Sequence, residues 1–150
     1  MATERGFSLV ELMVVLAITG ALAVVAVPSL WSYWQNAAVH AGARELASAM
    51  NLGRQLAISR KTSVCVDLNG TSIRLRVGGC SGPLWTGPVT DASGVIRISD
   101  PATLAVSSNA RVIFTALGAA SPSATYTVTH MRTQTTRAVV VAGSGRISVE

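Results

Sequence analysis

The chain has 150 residues, a formal net charge of +5, and 13% charged against 49% apolar side chains. That length holds one compact domain of roughly 90 residues plus a long appendage, and it excludes a two-domain enzyme. A modest basic excess attracts nucleic acid or anionic lipid only weakly unless it is clustered, so charge alone assigns no partner.

The first predicted element is a helix that begins behind a short leader, residues 1–6. From Phe7 to Val27 there is no Lys or Arg and a single acid, Glu11. As a helix, this stretch of about 21 residues spans about 31 Å, enough to cross a bilayer. Ala21-Leu22-Ala23 resembles a small-residue cleavage site. A secretory signal, however, has a positive start, a shorter apolar run and no carboxylate within it.

Glu11 is therefore the informative residue. A carboxylate inside a membrane helix costs about 2.5–3.5 kcal/mol and persists only with a partner. Cutting the chain between Gly6 and Phe7 creates a free α-amino group four residues away. In a helical stack of subunits, that amine meets a neighbour's carboxylate at low dielectric. The plainer alternative is a side chain that snorkels to the membrane edge or is protonated.

The run Arg5-Gly6-Phe7-Ser8-Leu9-Val10-Glu11-Leu12-Met13-Val14-Val15-Leu16-Ala17-Ile18 resembles the N-terminal signal of type IV pilins and type II secretion pseudopilins. The resemblance implies cleavage after Gly6 by a membrane aspartyl protease, the prepilin peptidase, and methylation of the new N-terminal Phe7. It further implies that Glu11 guides subunit docking and that Pro28 sits at the bend of the helix. The expected location is a single pass through the bacterial inner membrane with a periplasmic head, followed by incorporation into a pilus or pseudopilus beside other major and minor subunits. The leader carries one Arg and one Glu where the family often has more basic residues, so the positive-inside rule orients it only weakly.

After Pro28 the helical pattern resumes, with Val39, Ala43, Leu46, Met50, Gly53 and Ala57 on one face. Residues 28–60 thus read as an amphipathic continuation of the helix, about 80 Å long in all from Phe7 to Arg60. Pro28 is expected to kink it without ending it. Trp31, Tyr33 and Trp34 follow the apolar run, either as interfacial anchors or as contacts inside a fibre. His40 has no partner at metal-ligand or catalytic spacing and reads as a solvated helix residue.

The head, residues 61–150, reads as β. Ser63–Leu68 and Ser72–Val77 flank Asn69-Gly70, a two-residue hairpin signal. Pairing across that turn sets Val64 opposite Leu75, Val66 opposite Ile73, and Cys65 opposite Arg74 on the other face. Further strands are expected at Val95–Ser99, Arg111–Thr115, Thr125–His130, Arg137–Ala142 and Arg146–Val149, the last two joined through Gly143-Ser144-Gly145. Residues 78–94, rich in Gly, Pro, Ser and Thr, form a loop whose Trp85 folds back on the core or meets a partner. Cys65 and Cys80 do not face each other in strict register, but Gly78-Gly79 lets the chain curl back to bond them. Two free buried thiols are the alternative, and two cysteines alone complete no zinc site.

Leu46 to Lys61, the β-rich head and Gly145-Arg146-Ile147-Ser148-Val149 are similar to the GspH/FimT group. This implies an α+β, type IV pilin-like fold: a long N-terminal helix packed on an antiparallel β-sheet head. GspH-like members are minor pseudopilins of type II secretion, and FimT-like members are minor pilins, some linked to DNA uptake. In the latter, a Gly-Arg-x-Arg motif is tied to DNA binding; Gly145-Arg146 matches it, but Ser148 replaces the second basic residue. Arg132, Arg137 and Arg146 gathered at one end of the last hairpin would contact phosphates in a salt-sensitive way, whereas scattered arginines would not. No cofactor is implied. Nucleophile, phosphate-loop and histidine–carboxylate patterns are absent from the sequence, and Asp67, Asp91 and Asp100 read as turn and capping residues, so the expectation is a structural subunit and not an enzyme.

Overall fold

The computed structural model describes residues 8–98, 103–107 and 110–150, without the side chains of residues 28 and 29. The chain resolves into two compact units, Met1–Gln35 and Asn36–Glu150.

One helix, α1, spans Leu9–Ser59 and runs on through Pro28, as the resumed periodicity requires. It ends in a Schellman cap. Lys61 adopts φ 52°, its N–H donates to the Ile58 carbonyl, and the Thr62 N–H donates to that of Ala57. The left-handed residue thus closes two carbonyls that the helix leaves open.

Among the described residues nine strands follow: β1 (Val64–Asn69), β2 (Ser72–Val77), β3 (Val95–Arg97), β4 (Leu104–Ser107), β5 (Val112–Phe114), β6 (Ala120–Ser121), β7 (Ala124–His130), β8 (Thr136–Val141) and β9 (Ile147–Val149). They make two antiparallel sheets, ordered β3-β2-β1-β5-β6 and β4-β7-β8-β9. Strand β4 alternates Leu104 and Val106 inward, and β6 has two residues. Neither is among the strands expected from periodicity. Of the expected strand Val95–Ser99, Ser99 lies outside the described residues, as does Asp100.

In the second unit, the C-terminal part of α1 presents the anticipated stripe, with Val39, Ala43, Leu46, Met50 and Ala57 fully buried. Two glycines on that stripe set the packing distance. A Cβ on Gly42 would lie 2.6 Å from Leu104 Cδ1, and one on Gly53 would lie 2.7 Å from Val66 Cγ2. Eleven residues, about three helical turns, separate them, so they share a face. Gly42 receives a side chain from one sheet and Gly53 receives one from the other. The core is completed by Leu68, Ile73, Leu75, Phe114, Tyr126, Val128, Val139 and Val141. Tyr126 is enclosed among them, and its hydroxyl donates to the Ala110 carbonyl at 2.6 Å. Burial pushes this phenol up to about 12.

The β1–β2 hairpin corrects one expectation. Val64 pairs with Val77, Cys65 with Arg76 and Val66 with Leu75, and the last pair is Asn69 with Ser72. The turn is therefore Gly70-Thr71. Glycine at the first central position suits a type II′ turn, which displaces the expected Asn-Gly pair. The slip is two residues. Because side chains alternate with period two, every residue keeps its face.

Cys65 and Cys80 are bonded, with their Cα atoms 4.9 Å apart. Gly78 and Gly79 make the curl, and both donate N–H to the Ser63 carbonyl. The loop that follows lies along β2: Arg76 bridges to Leu84, the Trp85 N–H donates to Leu75, and Trp85 packs half-buried on the core. Closing this 15-residue separation contributes about 3 kcal/mol in the chain-entropy model.

Candidate functional site

In the first unit, residues 9–27 form a helix whose apolar side chains are exposed on every face, among them Leu9, Leu16, Val24 and Val25. It is long and apolar enough to cross a membrane, with a mean hydropathy of 2.5 and none of its apolar window buried. A helix that is apolar all round and uncovered by its own chain needs another apolar medium. One polar group in it is satisfied locally: the Thr19 hydroxyl donates to the Val15 carbonyl at 2.9 Å, without water.

Glu11 stands in the first turn, exposed, where the helix N-terminus favours negative charge. Among the described residues its carboxylate enters no ion pair. Gly6 and Phe7 lie outside the described residues, and so does the side chain of Pro28. Trp31, Tyr33 and Trp34 are all exposed at the end of this unit, an amphipathic aromatic group suited to a membrane–water boundary.

In the second unit, the three arginines expected to form a phosphate-contacting patch do not gather at one end of the last hairpin. Arg137 is the second residue of β8, opposite Val128, and Arg132 lies in the turn just before that strand. Arg146 is opposite Ala142, beyond the far end of the same strand, through the Ala142 N–H to Arg146 carbonyl bond. Five residues along a strand separate the two ends by about 17 Å, and the odd spacing puts them on opposite faces. The register of β8 with β9 decides this, and it is invisible in the spacing of the arginines.

The remaining polar groups serve the fold. Asp91 accepts from the Ser93 hydroxyl at 2.6 Å, from the Ser93 N–H and from the Val95 N–H, and it pairs with Arg97 at 3.5 Å. The Ser93 hydroxyl first, then the Val95 N–H, hold its carboxyl down at about 2. Asp67 pairs with Arg111 at 3.1 Å, within an open recess also lined by Asn69, Ser72 and Arg74. His130 is buried, and its Nδ1 accepts from the N–H groups of Arg132 and Thr133, capping the β7–β8 turn. His40 is half-buried on α1. Among the described residues no three His, Cys, Asp or Glu side chains converge.

Two family models match the chain. One, described as type II transport protein GspH, covers residues 42–145. The other, the prokaryotic N-terminal methylation motif, covers residues 1–27. No curated protein matches by sequence.

Among solved structures, the type IV minor pilin FimU of Pseudomonas aeruginosa is similar in two crystal forms. One form has a TM-score of 0.57 at 19% identity, covering 74% of this chain and 91% of that one. The other has a TM-score of 0.57 at 21% identity, covering 75% and 87%. The solution structure of Escherichia coli GspH has a TM-score of 0.51 at 16% identity, covering 77% and 89%. At these identities the likeness establishes the fold: a long N-terminal helix with antiparallel sheets, as in the minor pilins.

Proposed function

Because this chain belongs to the type II transport protein GspH family, with a type IV pilin-like fold, we propose that it is a minor subunit of a pilus or pseudopilus that helps initiate or cap assembly. In this reading prepilin peptidase cuts between Gly6 and Phe7 and methylates Phe7. The helix then holds the subunit in the inner membrane until it is drawn into the fibre. Known relatives in the family are structural subunits and not enzymes, and the described residues hold no convergent catalytic group.

One observation carries the proposal. A carboxylate, Glu11, that enters no ion pair among the described residues stands in the first turn of a helix that is otherwise apolar on all sides, inside a matched N-terminal methylation motif. In lipid such a group demands a cation. The amine freed at Phe7 supplies one, either from the same subunit or from its neighbour, and the second arrangement makes the anchor a polymerisation handle.

Mass spectrometry of the protein from its native host tests the first step. The expected N terminus is methylated Phe7, and a mature chain beginning elsewhere refutes processing at Gly6. For the second step, Glu11→Ala is expected to insert normally but enter fibres poorly. Incorporation at the wild-type level would remove Glu11 from docking.

A further inference from the structure

The β5–β6 hairpin displays an apolar side chain that the fold does not need. Thr115 accepts from the Gly118 N–H and donates its own N–H to Ala119, both at 2.8 Å. The Thr115 hydroxyl also accepts from the Ala119 N–H, and Gly118 has φ +82°. This is the three-residue loop in which a type I turn is followed by a left-handed glycine.

A second layer fixes the loop from below. The Arg54 guanidinium donates from Nε to the Gly118 carbonyl at 3.1 Å. Gly145, itself at φ +80°, presses so closely that a Cβ there would lie 1.8 Å from the Gly118 oxygen. On this braced turn Leu117 is 93% exposed, and Ile58 of α1 is 46% exposed. A Cβ on Gly118 would come within 2.9 Å of Ile58 Cδ1. Arg60 and Lys61 follow Ile58, and Arg146 follows Gly145. All three are exposed, and none enters an ion pair among the described residues.

An isolated exposed leucine is ordinary, but one on a loop held by Arg54 and two glycines is preorganised. A preorganised anchor loses little freedom on binding, and apolar anchors enclosed by a polar rim are where binding energy concentrates. Here the rim is cationic, so it steers acidic surfaces in and turns basic ones away. A second copy of this chain, at net +5, is a poor match. A bilayer is also poor, because Leu117 and half of Ile58 offer less apolar surface than one acyl chain, itself a marginal anchor. Phosphates alone would leave the leucine unused.

We propose that Leu117 and Ile58, rimmed by Arg60, Lys61 and Arg146, form a docking knob for a polypeptide partner that presents an apolar socket edged with carboxylates. The proposal does not rest on processing at Gly6 or on Glu11, and a different mature N terminus would leave it untouched.

The test places a photo-reactive amino acid at position 117 of the full chain in its native host, with adducts identified by mass spectrometry. One polypeptide is expected, cross-linked among apolar residues with Asp or Glu beside them. The double change Arg60→Glu, Arg146→Glu should lower the yield about tenfold, and a Lys in place of the partner's carboxylate should restore it. Should the double variant melt below wild type, raising salt from about 0.05 to about 0.5 M in solubilised membranes should weaken cross-linking of the unaltered chain in the same direction. An adduct only with lipid, only with a second copy, with nothing, or with a polypeptide regardless of charge and salt would overturn the proposal.

Discussion

Two stretches of α1 differ in composition and meet opposite fates: Glu11 is the only charged residue of 9–27, whereas 36–59 carries Arg44, Glu45 and Arg54. In residues 9–27 the apolar side chains cover every face and stay exposed, Val25 at 77%. In residues 36–59 most of them keep to one stripe, where Val39, Leu46 and Met50 are at 0%, and Ile58 alone of the large ones stays exposed. The difference lies in both hydrophobicity and arrangement. A stripe is saturated by one sheet layer, whereas an all-round apolar helix must find its cover in lipid or in neighbouring helices. One helix therefore buries a stripe in the core at one end and leaves every face uncovered at the other.

Truncation is the harshest way to test that contrast. Leu46→Ala empties a fully enclosed site and is expected to cost the head about 4 kcal/mol. Leu16→Ala should leave its unfolding midpoint unchanged. Denaturant titration in mild detergent reads both, and equal losses would erase the distinction.

Charge tests it from the lipid side. Ala17→Arg is expected to cost about 3 kcal/mol of membrane insertion without altering the head's midpoint, as read by a glycosylation-mapping assay beside thermal unfolding. Normal insertion of this variant would mean that residues 9–27 do not lie across a bilayer.

A smaller effect sharpens the contrast within the head. Arg54→Ala removes the part-buried bond to the Gly118 carbonyl and is expected to cost about 1.5 kcal/mol. Hydrogen exchange should quicken at the Thr115–Ala119 turn. Unchanged protection there would show that the two glycines hold the loop alone.

The smallest effect is electrostatic. Asp91 is held down at about 2 against an ordinary 3.8. Its contribution is therefore complete above about pH 4 and is lost as pH falls towards 2. Asp91→Asn should flatten the acid side of the head's stability profile, and parallel profiles for the two proteins would exclude the Ser93 and Val95 bonds as its source.

Much of this was legible in the residues. The stripe on α1, the β-rich head and the curl at Gly78-Gly79 were each readable, because periodicity and turn chemistry are local. The β1–β2 register was missed by two positions, since Asn69-Gly70 and Gly70-Thr71 are both plausible turns and only cross-strand bonding chooses between them. Strand β6 left no signal, because two residues make no period. Gly42 was overlooked for a similar reason: a missing side chain announces nothing until Leu104 is found filling its place.

The amino-acid order by itself determined the uncovered apolar helix with Glu11 in its first turn, the face of each strand in the β1–β2 hairpin, and the membership of the stripe that the head buries. Those properties follow from spacing along the chain, where side-chain direction repeats every 3.6 or 2 residues. Tertiary structure alone decided that Arg137 and Arg146 part company across β8, that Cys65 reaches Cys80, and that Gly145 closes on the Gly118 carbonyl. Each of these depends on which distant segments pair, and pairing is settled by the whole core at once, not by any local run of residues.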